Sequence, residues 1–304
     1  MRFSEYNQDA TGFLSSDGLP KIASFIGLTK GNIDLETVES FGEEWLKFNS
    51  FSEDDIMTAG DQYFDIVDES IMGKEAIVLD AGCGSGRWTK YMAPRVKIIE
   101  AIDPSKSVLT AQRINGPETN VRITQAEISN IPFRDNTFDF AICLGVLHHI
   151  PDTQKALNDI VKKIKKGGSL LMYIYYDLDN RGFLYKWIFK LSNILRLIIS
   201  RLPKTLKKIV CDIIAISIYL PFILLTKTLL LLAGNKKWIR KIPLSYYSDK
   251  SLNIIRNDAL DRFGTPLEQR FTKAEIRAMM YAAGLDSIVF SNNEPFWHSV
   301  GTKK

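Results

Sequence analysis

Histidine and cysteine are scarce in this chain, with three of each among 304 residues. Cys83, Cys143 and Cys211 lie far apart and form no Cys-x-x-Cys pair. Neither a disulfide framework nor a structural zinc site is indicated, no metal is expected, and a reducing compartment fits. Long apolar runs are also missing. The longest uncharged stretch, residues 213–226, has fourteen residues and is interrupted by Pro221. A spanning helix needs about twenty apolar residues, so this stretch reads as a buried or interfacial element rather than a span. The opening MRFSEYNQDATGF has acids where a secretory signal places a basic cluster and an apolar run, so export is not expected and a cytoplasmic location is. No internal repeat or low-complexity tract is visible. What remains is a globular chain with 45% hydrophobic residues, long enough to bury a full core.

Residues 1–75 read as short polar and amphipathic pieces punctuated by Gly12, Gly18, Gly27, Gly31 and Gly73, which predicts a helical leader or lid with no strand of length. From residue 76 the pattern becomes short apolar runs alternating with amphipathic stretches, as in a parallel sheet covered on both faces. The runs are AIVLDA, VKIIEAID, VRITQ, FDFAICLGVL and SLLMYIYY, starting at 76, 96, 121, 138 and 169. Ala156, Leu157, Ile160, Val161 and Ile164 recur at helical spacing before a stop at Gly167-Gly168. The alternation halts for about ninety residues. It resumes with TKAEIRAMMYAAGL, a helix capped by Thr272 and stopped at Gly284, and two closing strands, DSIVF and PFWHSVGTKK. The fold predicted is a Rossmann-like α/β sheet of seven mostly parallel strands with helices on both faces. Its core covers 76–180 and 265–304, with the leader over 1–75 and a helical basic-apolar insertion over 181–264.

The segment Val78-Leu79-Asp80-Ala81-Gly82-Cys83-Gly84-Ser85-Gly86 runs a buried strand into a glycine turn that opens a helix. Such a turn lets backbone approach a ligand at the carboxyl end of the sheet. The next strand ends at Asp103, before Pro104, about twenty residues on, where an acid can accept from both ribose hydroxyls or can simply cap the following helix. The G-x-G-x-G spacing differs from the G-x-G-x-x-G of dinucleotide sites.

These residues resemble the class I methyltransferases of the type 11 domain group. The matching stretches are VLDAGCGSGRW, AIDPS, QAEISNIPFRDNTFD, AICLGVLHHIPD and KKGGSLLMY, covering about 76–176, with the closing helix and strands matching from 272. The resemblance implies S-adenosylmethionine as methyl donor and S-adenosylhomocysteine as product. It implies that Gly82, Cys83, Gly84 and Gly86 shape the methionine pocket, that Asp80 holds the amino group directly or through water, and that Asp103 with Pro104 serves the ribose. Glu127 and Ile128 would contact adenine, with Leu144 nearby; Glu127 stands where the family more often has Asp.

A sulfonium methyl is already activated, so positioning and exclusion of water carry most of such a reaction and a base is optional. If one acts, His148 is the candidate; His149 and His298 read as structural. Phe41, Trp45 and Phe48, in an F-G-x-x-W element, either close over the cofactor or anchor an amphipathic helix. Asp177, Asn180, Arg181 and Glu268, with Asp179, are candidate acceptor contacts or ordinary loop caps and ion pairs.

Between 183 and 243 twelve basic residues face a single acid, Asp212, giving +11 against −7 for the remainder. Leu184, Trp187, Ile188, Leu191, Leu195, Ile198 and Leu202 share a helical face, with Lys186, Lys190, Asn193 and Arg201 largely on another. This is the composition of a helix lying in an anionic membrane surface, or of a cap with its lysines in water. The expected function is methylation of a small-molecule, lipid-linked or envelope glycan acceptor, on a protein peripheral to the inner face of the cytoplasmic membrane. An RNA methyltransferase would suit the charge, but the lysines are interleaved with Leu and Ile and no RNA module is present, so no nucleic-acid partner is expected. A non-catalytic S-adenosylmethionine-binding protein is the third class.

Overall fold

The computed structural model describes every residue except 1, 16–17, 28–30, 48–52, 181, 235–237, 240–241, 243 and 250–251; side chains at 43–47, 184, 246, 249, 253–254 and 257 are likewise outside the description. Of the residues singled out above, Arg181 and Phe48 lie outside the described residues, as do the side chains of Trp45 and Leu184. The described residues form two units, Met1–Asp179 with Leu267–Lys304, and Asn180–Pro266.

The first unit is built on one sheet in the order β1-β2-β5-β4-β3-β6-β7-β9-β8. Its centre is β3 (Ile77–Ala81), flanked in parallel by β4 (Ile98–Asp103) and β6 (Phe138–Leu144). β5 (Val121–Gln125) and β7 (Ile164–Tyr173) extend it in parallel. The antiparallel pair β8 (Leu285–Phe290) and β9 (Ser299–Lys303) closes the β7 side. Period-2 alternation sends neighbouring side chains to opposite faces, so a strand buried on both sides feeds two cores. Leu79 and Ala81 join the core containing Phe138, Leu157, Ile160 and Met280. Val78, Ile99 and Ala101 join Phe140, Ile142, Trp88 and Ala111 on the other face.

Local chemistry sets the helix ends. In α5 (Thr153–Lys163) the Asp152 carboxylate accepts from Lys155 N at 2.9 Å. α10 (Lys273–Ala282) opens on a reciprocal capping box between Thr272 and Glu275, and Asp179 Oδ2 accepts a further amide, Lys273 N, at 3.0 Å. Each cap satisfies donors with no partner inside the helix.

Three sequence expectations change. The leader is not wholly helical: β1 (Gly12–Leu14) and β2 (Ile22–Ser24) pair antiparallel and join the sheet beside β5, ahead of α1 (Leu35–Lys47) and α2 (Glu53–Tyr63). The sheet therefore has nine strands among the described residues, the predicted seven plus two three-residue additions too short for a periodic signal. α5 stops at Lys163, and Ile164, a helix residue by spacing, begins β7 after a turn of direction at its own extended backbone. β9 starts only at Ser299, because residues 291–298 form the turn that carries His298.

The second unit contains α6 (Phe183–Ile199), α7 (Lys204–Ile214), α8 (Leu220–Ala233) and α9 (Leu252–Gly264). α7 and α8 are one continuous helix, Lys204–Ala233, joined by a π-helical turn at Ala215–Tyr219. Pro221 therefore does not interrupt it. Proline lacks an N–H and crowds the carbonyl four residues back, here that of Ser217, and the wider π turn takes up both demands. The unit has its own small core, in which Cys211, Ile214, Tyr219 and Ile223 meet Ile199, Ile255, Ala259 and Phe263.

Candidate cofactor and acceptor site

The glycine turn leaves β3 at the carboxyl edge of the sheet, where α3 (Arg87–Met92) begins. Gly82, Gly84 and Gly86 have φ of +84°, +53° and +81°. These left-handed angles strain residues with a Cβ, and at two positions space is closed as well. A Cβ on Gly82 would lie 2.5 Å from Val146 Cγ2, and one on Gly86 would lie 2.5 Å from Asn115 Nδ2 and 2.9 Å from Ala111 Cβ. The turn is tied to β4, since Gly82 N and Cys83 N both donate to Ile102 O, at 2.8 and 2.9 Å. Asn115, on α4 (Val108–Asn115), donates to Gly86 O at 3.0 Å.

Two acids meet this turn. Asp103 Oδ2 accepts from Gly84 N at 3.0 Å. Its Oδ1 accepts from Ser105 N, Ser105 Oγ and Ser107 Oγ at 2.9, 2.7 and 3.1 Å. With three donors Oδ1 is saturated, so the remaining accepting capacity lies on Oδ2. Asp103 thus both holds the turn, as a cap would, and faces the turn's central glycine. Asp80 is buried, and its Oδ2 accepts from Thr89 Oγ1 at 2.5 Å. Burial first, and then the Asp103 charge, push its carboxyl up to about 7 against the Thr89 hydrogen bond. A buried acid with a second acid beside the same turn forms a place for a cation, and an amino-acid ammonium or a sulfonium meets that requirement. Thr89, in the first turn of α3, and Ser105 and Ser107, just before α4, hold these acids and escaped sequence reading because a lone hydroxyl near a helix start carries no distinguishing signal.

Cys83, Ile128 and Leu144 are buried. Burial, with Asp80 and Asp103 adding to it, pushes the Cys83 thiol well up, which leaves it a small apolar residue. Pro104 follows Asp103 at the β4 edge, and its carbonyl accepts from Gln125 Nε2 at 3.0 Å. Glu127 ends the β5 connection, where Oε2 accepts from Ser129 Oγ at 2.8 Å and the leader backbone at Gly31 lies so close that a Cβ there would be 1.9 Å from that oxygen. Phe25, Gly31, Asn32, Glu127, Ser129 and Asn130 are among the residues lining an open cleft of about 670 Å³ at this edge.

On the other side of the turn, beyond β6 and β7, aromatic rings follow one another. Tyr63 of α2 lies 4.7 Å from Trp88 and 5.4 Å from Tyr173. Tyr173 lies 6.1 Å from Tyr175, which stacks on His148 at 3.7 Å. His149 lies 4.8 Å from Phe41. Phe41 therefore reaches an imidazole at the β6 end, and Trp45 stays outside the described side chains.

His148 does not have the setting of a general base. It is fully buried, its Nδ1 accepts from Tyr175 N at 3.3 Å, and its Nε2 has no hydrogen-bond partner. Accepting at Nδ1 places the neutral ring's proton on Nε2, so that nitrogen can donate but not accept. Burial, reinforced by His149 and Arg270, holds the ring well below its usual range. Its role here is to pack and to anchor Tyr175. Nor is Glu268 an open acceptor contact: its side chain is 2% exposed and pairs with Arg270 at 2.9 Å, while Arg270 donates to Tyr176 O and lies over the Tyr175 ring. Asp179 caps α10 and accepts from Trp297 Nε1 at 2.7 Å, also a structural position. Asp177 and Asn180 are exposed and sit in different units. Arg270, Tyr63 and Tyr173 were not singled out from sequence; a YIYY strand tail and an E-x-R pair read as ordinary packing.

Residues 79–172 match the model of a family described as a methyltransferase domain. The uncharacterized methyltransferase YcgJ of Bacillus subtilis is 29% identical over 102 residues, 33% of this chain and 40% of its own length. The ubiquinone biosynthesis O-methyltransferase of Coxiella burnetii is 29% identical over 119 residues, 38% of this chain and 49% of its own. The chain thus spans less than half the length of these curated relatives. The crystal structure of the YcgJ protein superposes with a TM-score of 0.46 at 18% identity, covering 75% of this chain and 69% of that one. Fold order, glycine turn and family match together define a Rossmann-like methyltransferase domain. Residues 79–172 thus resemble a methyltransferase domain of the type 11 group, and that match together with the fold implies S-adenosylmethionine as methyl donor.

Proposed function

We propose that this protein transfers a methyl group from S-adenosylmethionine to an apolar or planar small-molecule acceptor, lipid-linked acceptors included. The observation that carries the reading is the Gly82–Gly86 turn flanked by the buried carboxyl of Asp80 and by Asp103, whose Oδ2 accepts from Gly84 N. Asp80 would hold the amino group of the methionine moiety, Gly82, Cys83, Gly84 and Gly86 would line it, and Asp103 would take a ribose hydroxyl on Oδ2. Glu127, Ile128 and Leu144 would bound the adenine. When bound, the cofactor supplies an electrophilic methyl on a positively charged sulfur and leaves as a neutral thioether.

The chain's part is to orient an acceptor and keep water away. The rings of Tyr63, Tyr173, Tyr175, His149 and Phe41 follow one another on this side of the turn, and aromatic faces suit a ring or an isoprenoid-like chain better than a charged sugar. The similarity to a ubiquinone biosynthesis O-methyltransferase supports the same class of acceptor. No residue here is assigned as a base; a hydroxyl acceptor would lose its proton to solvent or to a group it brings.

The test is transfer of labelled methyl from S-adenosylmethionine into total lipid extract, soluble extract and RNA, with Asp103→Ala as the control. Label in the lipid or soluble organic fraction, lost in the variant, is expected. Label in RNA alone would establish the reading that the basic second unit favours, and no transfer despite tight cofactor binding would leave a binding protein.

A further inference from the structure

We infer that the second unit docks in the plane of an anionic lipid bilayer through one apolar face of α6 and the Lys204–Ala233 helix. The starting point is that α6 faces its own core with its less apolar side. Phe189, Ser192, Arg196 and Ile199 turn inward: Arg196 donates to Thr265 O and Pro266 O at 3.0 and 3.1 Å, and Phe189 lies under the Arg262 guanidinium at 4.5 Å. At 100° per residue the opposite stripe carries Phe183, Trp187, Leu191, Ile194 and Ile198. Those side chains are left outside, Trp187 by 53% and Ile198 by 59%. The long helix repeats the arrangement. Cys211, Ile214, Tyr219 and Ile223 face the core, while Ile209, Ile213, Ile216 and Leu224 are exposed, and Leu231 stands 87% exposed near its end. Scattered exposed leucines need no explanation, but continuous stripes on two helices of one unit do.

Charge identifies what covers this face. Residues 180–266 hold sixteen Lys and Arg against four Asp, a net of +12 that leaves −8 for the rest of the chain. Lys186 and Lys190 border the α6 stripe, and Lys204, Lys207 and Lys208 gather at the start of the long helix. An apolar stripe edged by lysines suits acyl chains below anionic headgroups, whereas a second copy of this unit would bring like charge against it.

The Lys204–Ala233 helix is long and apolar enough to cross a membrane by length and composition, with 33% of its most apolar window buried. Its packing argues for lying flat. Asp212 binds Arg256 of α9 through both guanidinium nitrogens, at 2.8 and 2.6 Å, and α9 runs beside α7 carrying Asp258, Asp261 and Arg262 as well. A crossing would carry these charges into hydrocarbon. In the plane, the α9 side faces water and only the exposed stripe is immersed.

The inference stands apart from the methyl-transfer reading, since vesicle binding requires neither cofactor nor acceptor. The test uses the full chain with phosphatidylcholine vesicles containing about one third phosphatidylglycerol. Co-sedimentation is expected, weaker on neutral vesicles and at high salt, with quenching by brominated acyl chains that falls in Trp187→Phe. Leu191→Glu with Ile198→Glu should lower the partition coefficient at least tenfold while circular dichroism and S-adenosylmethionine binding stay unchanged. Four results would overturn it: no binding to anionic vesicles by the folded protein, binding indifferent to the double substitution, retention in the membrane after alkaline carbonate extraction, or a stable oligomer that occupies the face.

Discussion

Asp80 and Asp103 end neighbouring parallel strands and meet the same glycine turn, and the charge on Asp103 adds to burial in pushing the Asp80 carboxyl up to about 7. The ionised form of Asp80 is therefore disfavoured in the free protein, and a cation beside it would relieve that penalty. That places a cost in the folding equilibrium and a gain in the binding equilibrium.

The gain fixes a pH dependence for cofactor binding. With its carboxyl raised to about 7, Asp80 is protonated in the free protein at acid pH, and an ammonium prefers the ionised form. S-adenosylmethionine binding should release a proton and tighten about tenfold between about pH 5.5 and 6.5, levelling above about 7. Calorimetric titration in two buffers of different ionisation enthalpy reads the proton directly; a flat profile would show that Asp80 does not hold the amino group.

The cost predicts a stabilising substitution. The protonated Asp80 contributes stability that is complete below its ordinary 3.8 and is lost as pH rises to its folded value of about 7. The difference of about 3 units corresponds to about 4 kcal/mol as an upper bound. Asp80→Asn should therefore raise the stability of the free protein at pH 8 by about 2 kcal/mol or more, remove the decline between pH 4 and 7, and weaken cofactor binding at least a hundredfold. Urea titrations at pH 5 and pH 8 check the sign.

Gly86→Ala should destabilise by about 2–4 kcal/mol, since the left-handed φ of +81° and the 2.5 Å approach to Asn115 Nδ2 act together. Gly145 has a comparable φ of +78° but open space around it, so Gly145→Ala should cost only the backbone share, about 1–2 kcal/mol. Thermal melts of the two variants separate the contributions.

Glu268 distinguishes a structural from an acceptor-binding role. Its removal leaves Arg270, 17% exposed, without its carboxylate, so Glu268→Ala should lower stability by about 3 kcal/mol. Were it an acceptor contact instead, stability would hold and KM for the acceptor alone would rise.

The sheet was legible where burial on both faces wrote continuous apolar runs: four of the five runs contain β3 to β6 whole, and the fifth contains the second half of β7. The loop and Asp103 were legible because backbone geometry forces glycine there and a strand end exposes the acid. The rest depended on distant partners. β1 and β2 exist only by pairing onto β5, and Ile164 changes from helix to strand because Phe138 across the ladder claims it. Pro221 looked like a break because sequence cannot announce a π turn before it. His148 was the one candidate base on sequence, and only the fold brings Tyr175 N to its Nδ1; for Glu268 the sequence left an acceptor contact and an ion pair open, and the partner that decides, Arg270, is brought to it by the fold.

The most direct measurement is calorimetric titration of the full chain with S-adenosylmethionine and S-adenosylhomocysteine, alongside Asp103→Ala. The account predicts a Kd in the micromolar range or below for wild type and loss of binding in the variant. A well-folded wild-type protein that binds neither compound would contradict it and leave the methyltransferase fold without the activity.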